Sequence, residues 1–274
     1  SWSTLEQLWR LWPVLLVALG LSIMSQNCGK IVRGIINLII VIFILGVFAT
    51  FVYPGTREYL TTRSVSSENT NISEPLGADI DSADITLNTG AAKINIGGGS
   101  QLLVSGTVES NISRVITERT VRNKTDILSI KSEEIVPQIF WSHKNTWNLN
   151  LNDSLPTKLN LNTGAVDTDL DLHETAVNEL SVKSGASTYK LTLGDKVSSF
   201  KGEISLGAGS LKIKTPENVG LRIVNDSGAS SNNFEKLGLN KNDKTYESKN
   251  YQTAEKKIDL TLKTVASSIE LTLY

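Results

Sequence analysis

Cysteine is almost missing from this 274-residue chain, with Cys28 the single copy, so no internal disulfide framework can brace it. Two histidines, His143 and His173, are too few for a His-rich metal centre. Net charge is also near zero, at −1 from 27 basic and 28 acidic side chains. That balance argues against a nucleic-acid binder, which carries a basic excess on one face. The machinery of catalysis is equally scarce. GASTYK and GAGSLK lack the Gly-x-Ser-x-Gly frame of a nucleophile elbow. The Gly97-Gly98-Gly99 run precedes no helix, so it is no phosphate loop. No set of paired carboxylates is placed for glycan cleavage. These absences point to a non-enzymatic protein without a cofactor.

Long apolar runs are present only near the N-terminus. LWPVLLVALGLSIM covers Leu11 to Met24, and IINLIIVIFILGVFATFVY covers Ile35 to Tyr53. A helix needs roughly 20 apolar residues to cross a hydrocarbon core. The expectation is a transmembrane helical hairpin in residues 1–54, with helices at about 9–25 and 33–53. Trp12, with Trp2 and Trp9, and Tyr53, with Tyr59, would be interfacial anchors. Pro13 falls in a first turn, where a helix tolerates it. Lys30 and Arg33 between the runs oppose Arg10, Arg57 and Arg63 outside them, a balance that sets no orientation. The implied location is the cell membrane, multi-pass, with the lipid bilayer as a partner. Residues 55–75 are rich in Ser, Thr and Asn and read as a polar linker.

From residue 76 to 274 one phrase repeats: two alternating apolar residues, a small-residue turn, then alternation again. It appears in ITLNTGAAKINI, LNLNTGAVDTDLDL, LSVKSGASTYKLTL and ISLGAGSLKI, and as the glycine-free IDLTLKTVASSIELTL. Period-2 alternation on both sides of a tight turn predicts strands, and recurrence about every 20 residues predicts stacked rungs. The fold class is therefore an all-β, stacked-rung, solenoid-like domain behind a membrane hairpin. Gly90, Gly164, Gly185, Gly209 and Gly228 are placed at the turns. A first part spans 76–145 and a rung array spans 146–274, with a Lys- and Asn-rich insertion at 230–257 read as a surface loop or cap. Leu221 and Ile223 open a further rung, and the glycine-free copy closes the array.

The LWRLWPVLLVALGLSIM run resembles the transmembrane module of LiaF-like and LiaI-like bacterial envelope proteins, where a Trp-Pro pair opens an apolar helix. EPLGADIDSADITLNTGAAKINIGGGSQLLVSGTVESN and TWNLNLNDSLPTKLNLNTGAVDTDLDLHETAVNELSVKSGASTYKLTLG resemble the toast-rack β domain found behind such modules. The resemblance implies further helices upstream of Ser1. It also implies regulation of cell-envelope stress through contact with a membrane histidine kinase or another envelope protein. Related β repeats occur in proteins described only as adhesins, which keeps a surface adhesin or scaffold as the alternative.

Asp167, Asp169 and Asp171 alternate with Thr168, Leu170 and Leu172, which sets three carboxylates on one strand face. Calcium uses several oxygen ligands, so this row is a weak metal candidate beside the reading as a solvated edge. Asp79, Asp81 and Asp84 are a weaker one. Lys190, Lys212 and Lys214 would line up as a basic ladder if the rungs stack.

Overall fold

The computed structural model describes residues 67–134 and 144–274. The expected helices with Trp12, Pro13, Ile35 and Tyr53, the first part of the linker, and His143 lie outside the described residues. Among the described residues no helix is long and apolar enough to cross a membrane. They form strands β1 to β13 and one 3-10 turn, Glu235–Leu237.

Five long strands make the body: β2 (Ser82–Ser100), β7 (Thr157–Leu172), β8 (Val177–Leu193), β9 (Ser199–Thr215) and β13 (Lys257–Leu273). Each bends once into two arms, and the alternation of the sequence shows how. In β7, Leu159 and Leu161 are buried, Gly164 and Ala165 both face out, and Val166, Leu170 and Leu172 are buried. Two outward residues in succession reverse the parity, so both arms turn their apolar sides to the same interior. The bent strands pair parallel and in register.

Register converts the alternation into columns. One column runs Leu128, Ile85, Leu159, Leu180, Gly202, Leu260 and Ile223. Another, in the second arm, runs Trp147, Ile94, Thr168, Tyr189, Leu211 and Ile269. All of these residues are buried. Full burial of a large aliphatic side chain is worth about 1.5–3 kcal/mol, but a lone rung has nothing to bury it against.

Space and sequence order part at both ends. β5 (Thr125–Glu134) pairs with the first arm of β2, and β6 (Asn145–Asn152) with its second arm, together forming the coil outside β2. At the far end β10 (Gly220–Asn225) stacks outside β13, so the C-terminal strand is threaded between β9 and β10. The glycine-free copy, expected to close the array, is thus an inner rung, and the Leu221/Ile223 coil lies outside it. Both ends switch to antiparallel pairing. β4 (Ser113–Arg122) covers β5, β3 (Val104–Ser110) covers β6, and β1 (Glu68–Glu74) covers β3. On the other side β12 (Thr245–Glu247) covers β10, and β11 (Asn240–Asn242) covers β12.

One boundary changes. Residues 68–74, read as linker, are the strand β1, because Ile72 buries itself while the Asn and Ser neighbours face out from an edge. Of the two forms expected for the 230–257 insertion it takes the cap: it buries Phe234, Leu239, Tyr246 and Tyr251, and Phe234 packs edge-on against Tyr246.

The corners correct one turn residue. Register stacks Ala91, Ala165, Ala186, Ala208 and Ala266 in a column, so the corner preceding them is Gly90, Gly164, Gly185, Gly207 and Val265. Gly207, not Gly209, completes the turn column. The two-residue displacement arises because Gly202 takes the place of Leu159 and Leu180, with the Phe200 ring filling its space. A Cβ on Gly164, Gly185 or Gly207 would meet the carbonyl oxygen of the corner below at 2.8–2.9 Å. Gly228 stands in the same relation to Val265, at 2.9 Å, and its N–H donates to the Thr264 carbonyl. Gly209 is needed for another reason: its φ is +147°, and a Cβ would lie 1.8 Å from the Ser187 carbonyl oxygen. Gly209→Ala is expected to cost about 2–3 kcal/mol in denaturant titration, and Gly164→Ala only about 1 kcal/mol, since Val265 occupies an equivalent corner.

Candidate functional site

The outer face of the first arms carries a charge ladder that crosses the strands. In register order it reads Asp84, Lys158, Glu179, Lys201, Asp259, Arg222 and Glu247, alternating in sign at every step. Neighbouring strands are about 4.8 Å apart, so each of the five inner charges has opposite charges on both sides. Lys158 Nζ lies 3.9 Å from Glu179, and Arg222 Nε donates to Asp259 Oδ1 at 2.8 Å. In the neighbouring columns Asn160 Nδ2 donates to Asp84 at 2.7 Å, and Lys263 Nζ donates to Glu203 at 2.7 Å. That Lys263 hydrogen bond holds the Glu203 carboxyl below its ordinary range.

The face is concave. A trough of about 500 Å³ runs over Lys158, Glu179, Lys201, Glu203 and Arg222. A second hollow of about 420 Å³ continues it under β11 and β12, sharing Arg222, Asp259 and Thr261. The capping insertion anchors this end. The Tyr251 hydroxyl donates to Asp259 Oδ1 at 2.7 Å, and the Arg222 guanidinium lies 4.9 Å from the Tyr251 ring centre. Burial, then the Asp259 carboxylate, push the Tyr251 phenol up to about 12, so it stays a proton donor at neutral pH. Such an array offers charges and hydrogen bonds at fixed spacing, which is the chemistry of recognition.

The second arms present the predicted carboxylates. Asp167, Asp169 and Asp171 all face out from β7. Two residues along a strand is about 6.6 Å, so they diverge instead of converging on one ion. Asp169 lies 3.9 Å from Lys190, and Asp171 lies 2.5 Å from His173 Nδ1. Among the described residues no group of three or more His, Cys, Asp or Glu side chains gathers as metal ligands would. Of the earlier acidic trio, Asp81 lies 3.6 Å from Lys124, and Asp84 joins the first-arm ladder. The lysine row is also broken up: Lys190 and Lys212 are ladder neighbours, but Asp169 and Glu270 flank them, with Lys212 3.4 Å from Glu270.

A family model for the N-terminal domain of toast_rack, DUF2154, matches residues 61–214, more than half of the chain. The chain belongs to the toast-rack family. A putative cell adhesion protein from Clostridium sporogenes, known from its crystal structure, aligns at a TM-score of 0.65 with 22% identity, over 76% of this chain and 99% of that one. At that identity the likeness establishes the fold alone. A putative lipid binding protein from Parabacteroides distasonis (11% identity) and a putative adhesin from Bacteroides fragilis (10%) each align over 76% of this chain and 98% of theirs, at TM-scores of 0.21 that carry no argument. No curated protein matches.

Sequence reading missed several groups that shape this toast-rack domain. Asp126 is fully buried at one end of the stack and receives both Arg119 Nε (2.8 Å) and a terminal Arg119 nitrogen (2.5 Å). Hydrogen bonding to Asp126 raises the Arg119 pKa further above its ordinary value. Asn145 is buried beside a corner, accepting from Trp147 Nε1 and donating to the Ala91 carbonyl, both at 2.8 Å. The toast-rack ladder itself has a local signal in part: Lys158 and Glu179 immediately precede Leu159 and Leu180, and Lys201 precedes Gly202. The recurring Gly-Ala pair would have set the register and found Gly207.

Two outcomes are expected. Glu179→Lys sets three cations side by side and should cost about 1 kcal/mol in low-salt denaturation, shrinking as salt rises. The His173 pKa is raised above 6.5, first by its hydrogen bond to Asp171, then by the charges of Asp171 and Glu174. Its contribution to stability is thus full below 6.5 and lost as pH rises through the raised value. NMR titration should place the His173 midpoint above 6.5 and return it towards 6.5 in Asp171→Asn.

Proposed function

We propose that this chain is a membrane-anchored, non-enzymatic protein of the bacterial cell envelope that regulates envelope-stress signalling by direct contact with a membrane partner. The observation that carries this reading is the charge ladder in its trough. It is a concave face on which opposite charges alternate, with Lys158 beside Glu179 and Arg222 hydrogen-bonded to Asp259. The apolar runs before the domain supply the anchor, two helices at about 9–25 and 33–53. A histidine kinase of the same membrane is the expected partner.

The second reading is a surface adhesin, and the 0.65 alignment with a putative cell adhesion protein is what favours it. The two differ in what the trough must touch. A photo-crosslinking residue at Ser181, inside the trough, should capture a membrane histidine kinase from cells under cell-wall stress, and the product should fade in Lys201→Glu. Protease shaving of intact cells bears on the other reading, because an adhesin must expose the domain outside. Cleaved rungs together with a Ser181 product containing only extracellular material would replace the regulator with the adhesin.

A further inference from the structure

The C-terminal strand is the last part of the chain, yet it occupies an interior place. β9 and β10 both precede it in sequence, and neither pairs with the other. β13 separates them, pairing with β9 along both arms and with β10 over Gly220–Asn225. Beyond β10 the outer coil continues along β13, while Lys244 and Tyr246 hold it from the other side at Asp226 and Phe234. Ser231 N–H donates to the Ser267 carbonyl at 3.1 Å, and Ile269 N–H donates to the Ser231 carbonyl at 2.9 Å. The Asn233 amide then copies a strand pairing, donating to the Leu271 carbonyl at 2.9 Å and accepting from Leu271 N–H at 2.8 Å.

The ladder says what that place accepts. Its two walls present Lys201 from β9 and Arg222 from β10, both cations, and Asp259 of β13 stands between them. Without an intervening strand, β10 laid on β9 in the same columns would set Lys201 against Arg222. Like charges directly opposite are destabilising, so the place resists closing on itself. It calls for an extended strand with apolar residues at the positions of Ile258, Leu260, Leu262, Ile269 and Leu271 and an acid at that of Asp259. A sequence meeting this description is carried by every copy of the chain.

We propose that the place between β9 and β10 is a strand-exchange site, through which two copies of this chain associate by each lodging its β13 in the other. The contacts of β13 with β9 and β10 are reproduced in the exchanged pair, and only the connection before β13, with its Tyr251–Asp259 hydrogen bond, has to be remade. The connection that must cross over is the stretch between β12 and β13, where Gln252, Thr253 and Glu255 lie at the surface. The ladder acts as the code, since only an acid at position 259 satisfies both walls.

The test uses full-length chains bearing Cys28→Ser, co-expressed with two different tags. Ser205 and Lys263 are register partners on β9 and β13, close enough for a disulfide between adjacent strands. One chain carries Ser205→Cys and the other Lys263→Cys. Exchange gives a disulfide-linked species bearing both tags after oxidation, and such a link requires β13 of one chain beside β9 of the other. A chain with both substitutions reports that the strand still folds into place. If the link forms only when both cysteines share a chain, the proposal is overturned, whatever association the N-terminal segments produce. The code is read by adding Lys201→Glu and Arg222→Glu to the Ser205→Cys chain and Asp259→Lys to the Lys263→Cys chain. Each altered chain then faces like charges at home and opposite charges in its partner. The mixed link should rise about tenfold, the factor given by about 1.4 kcal/mol of relieved repulsion. An unchanged yield would overturn the ladder as its code.

Discussion

The structure depends on in-register parallel stacking of rungs that have no second face of their own. A bent strand such as β7 turns Leu159, Leu161, Leu170 and Leu172 inward, but they meet apolar partners only where β2 and β8 supply them. Once one rung is placed, its register fixes the next, because a slip of one residue would send every inward side chain outward. The corner columns add a second restraint. Glycine lets successive backbones approach at the bend, and the small alanines after it stack without crowding.

A parallel stack of this kind carries its own hazard, since each end is an open ladder that could capture another chain. Here the end coils come from the interior of the sequence, and antiparallel strands close them. At one end β1, β3 and β4 do this, bearing polar and charged side chains on their outer positions. At the other, β11 and β12 are only three residues each, and Tyr246 and Phe234 supply the small core that holds them. Threading β13 inside the cap fastens that end, because the outer coil docks on the final strand.

Function follows from what remains on the outside. The inward positions are committed to packing, so the outward columns are free to carry charge. Along the first arms that charge alternates in sign over seven strands, three of them brought together against sequence order. Alternation sets opposite charges side by side on a concave face, and two of the steps, Lys158–Glu179 and Arg222–Asp259, close as ion pairs. The second arms lack such continuity, as Asp169, Lys190, Lys212 and Glu270 meet as two separate pairs.

Sequence by itself determined the strand character and the stacking of rungs, because period-2 alternation recurring about a small-residue turn points that way. The joining of both arms into one bent strand came from the fold. It also determined the toast-rack likeness and the scarcity of catalytic groups. It misplaced one corner, choosing Gly209 over Gly207, since Gly202 interrupts the apolar pair and Phe200 compensates only in three dimensions. Residues 68–74 read as linker because an edge strand needs just one buried side chain, here Ile72. Only the tertiary structure decided the order of the rungs. Alternation makes each rung a fit for several neighbours, and nothing local says that β13 belongs between β9 and β10. In that place β13 buries Ile258, Leu260, Leu262, Ile269 and Leu271 and sets Asp259 between Lys201 and Arg222, contacts that exist only after the chain has folded back on itself.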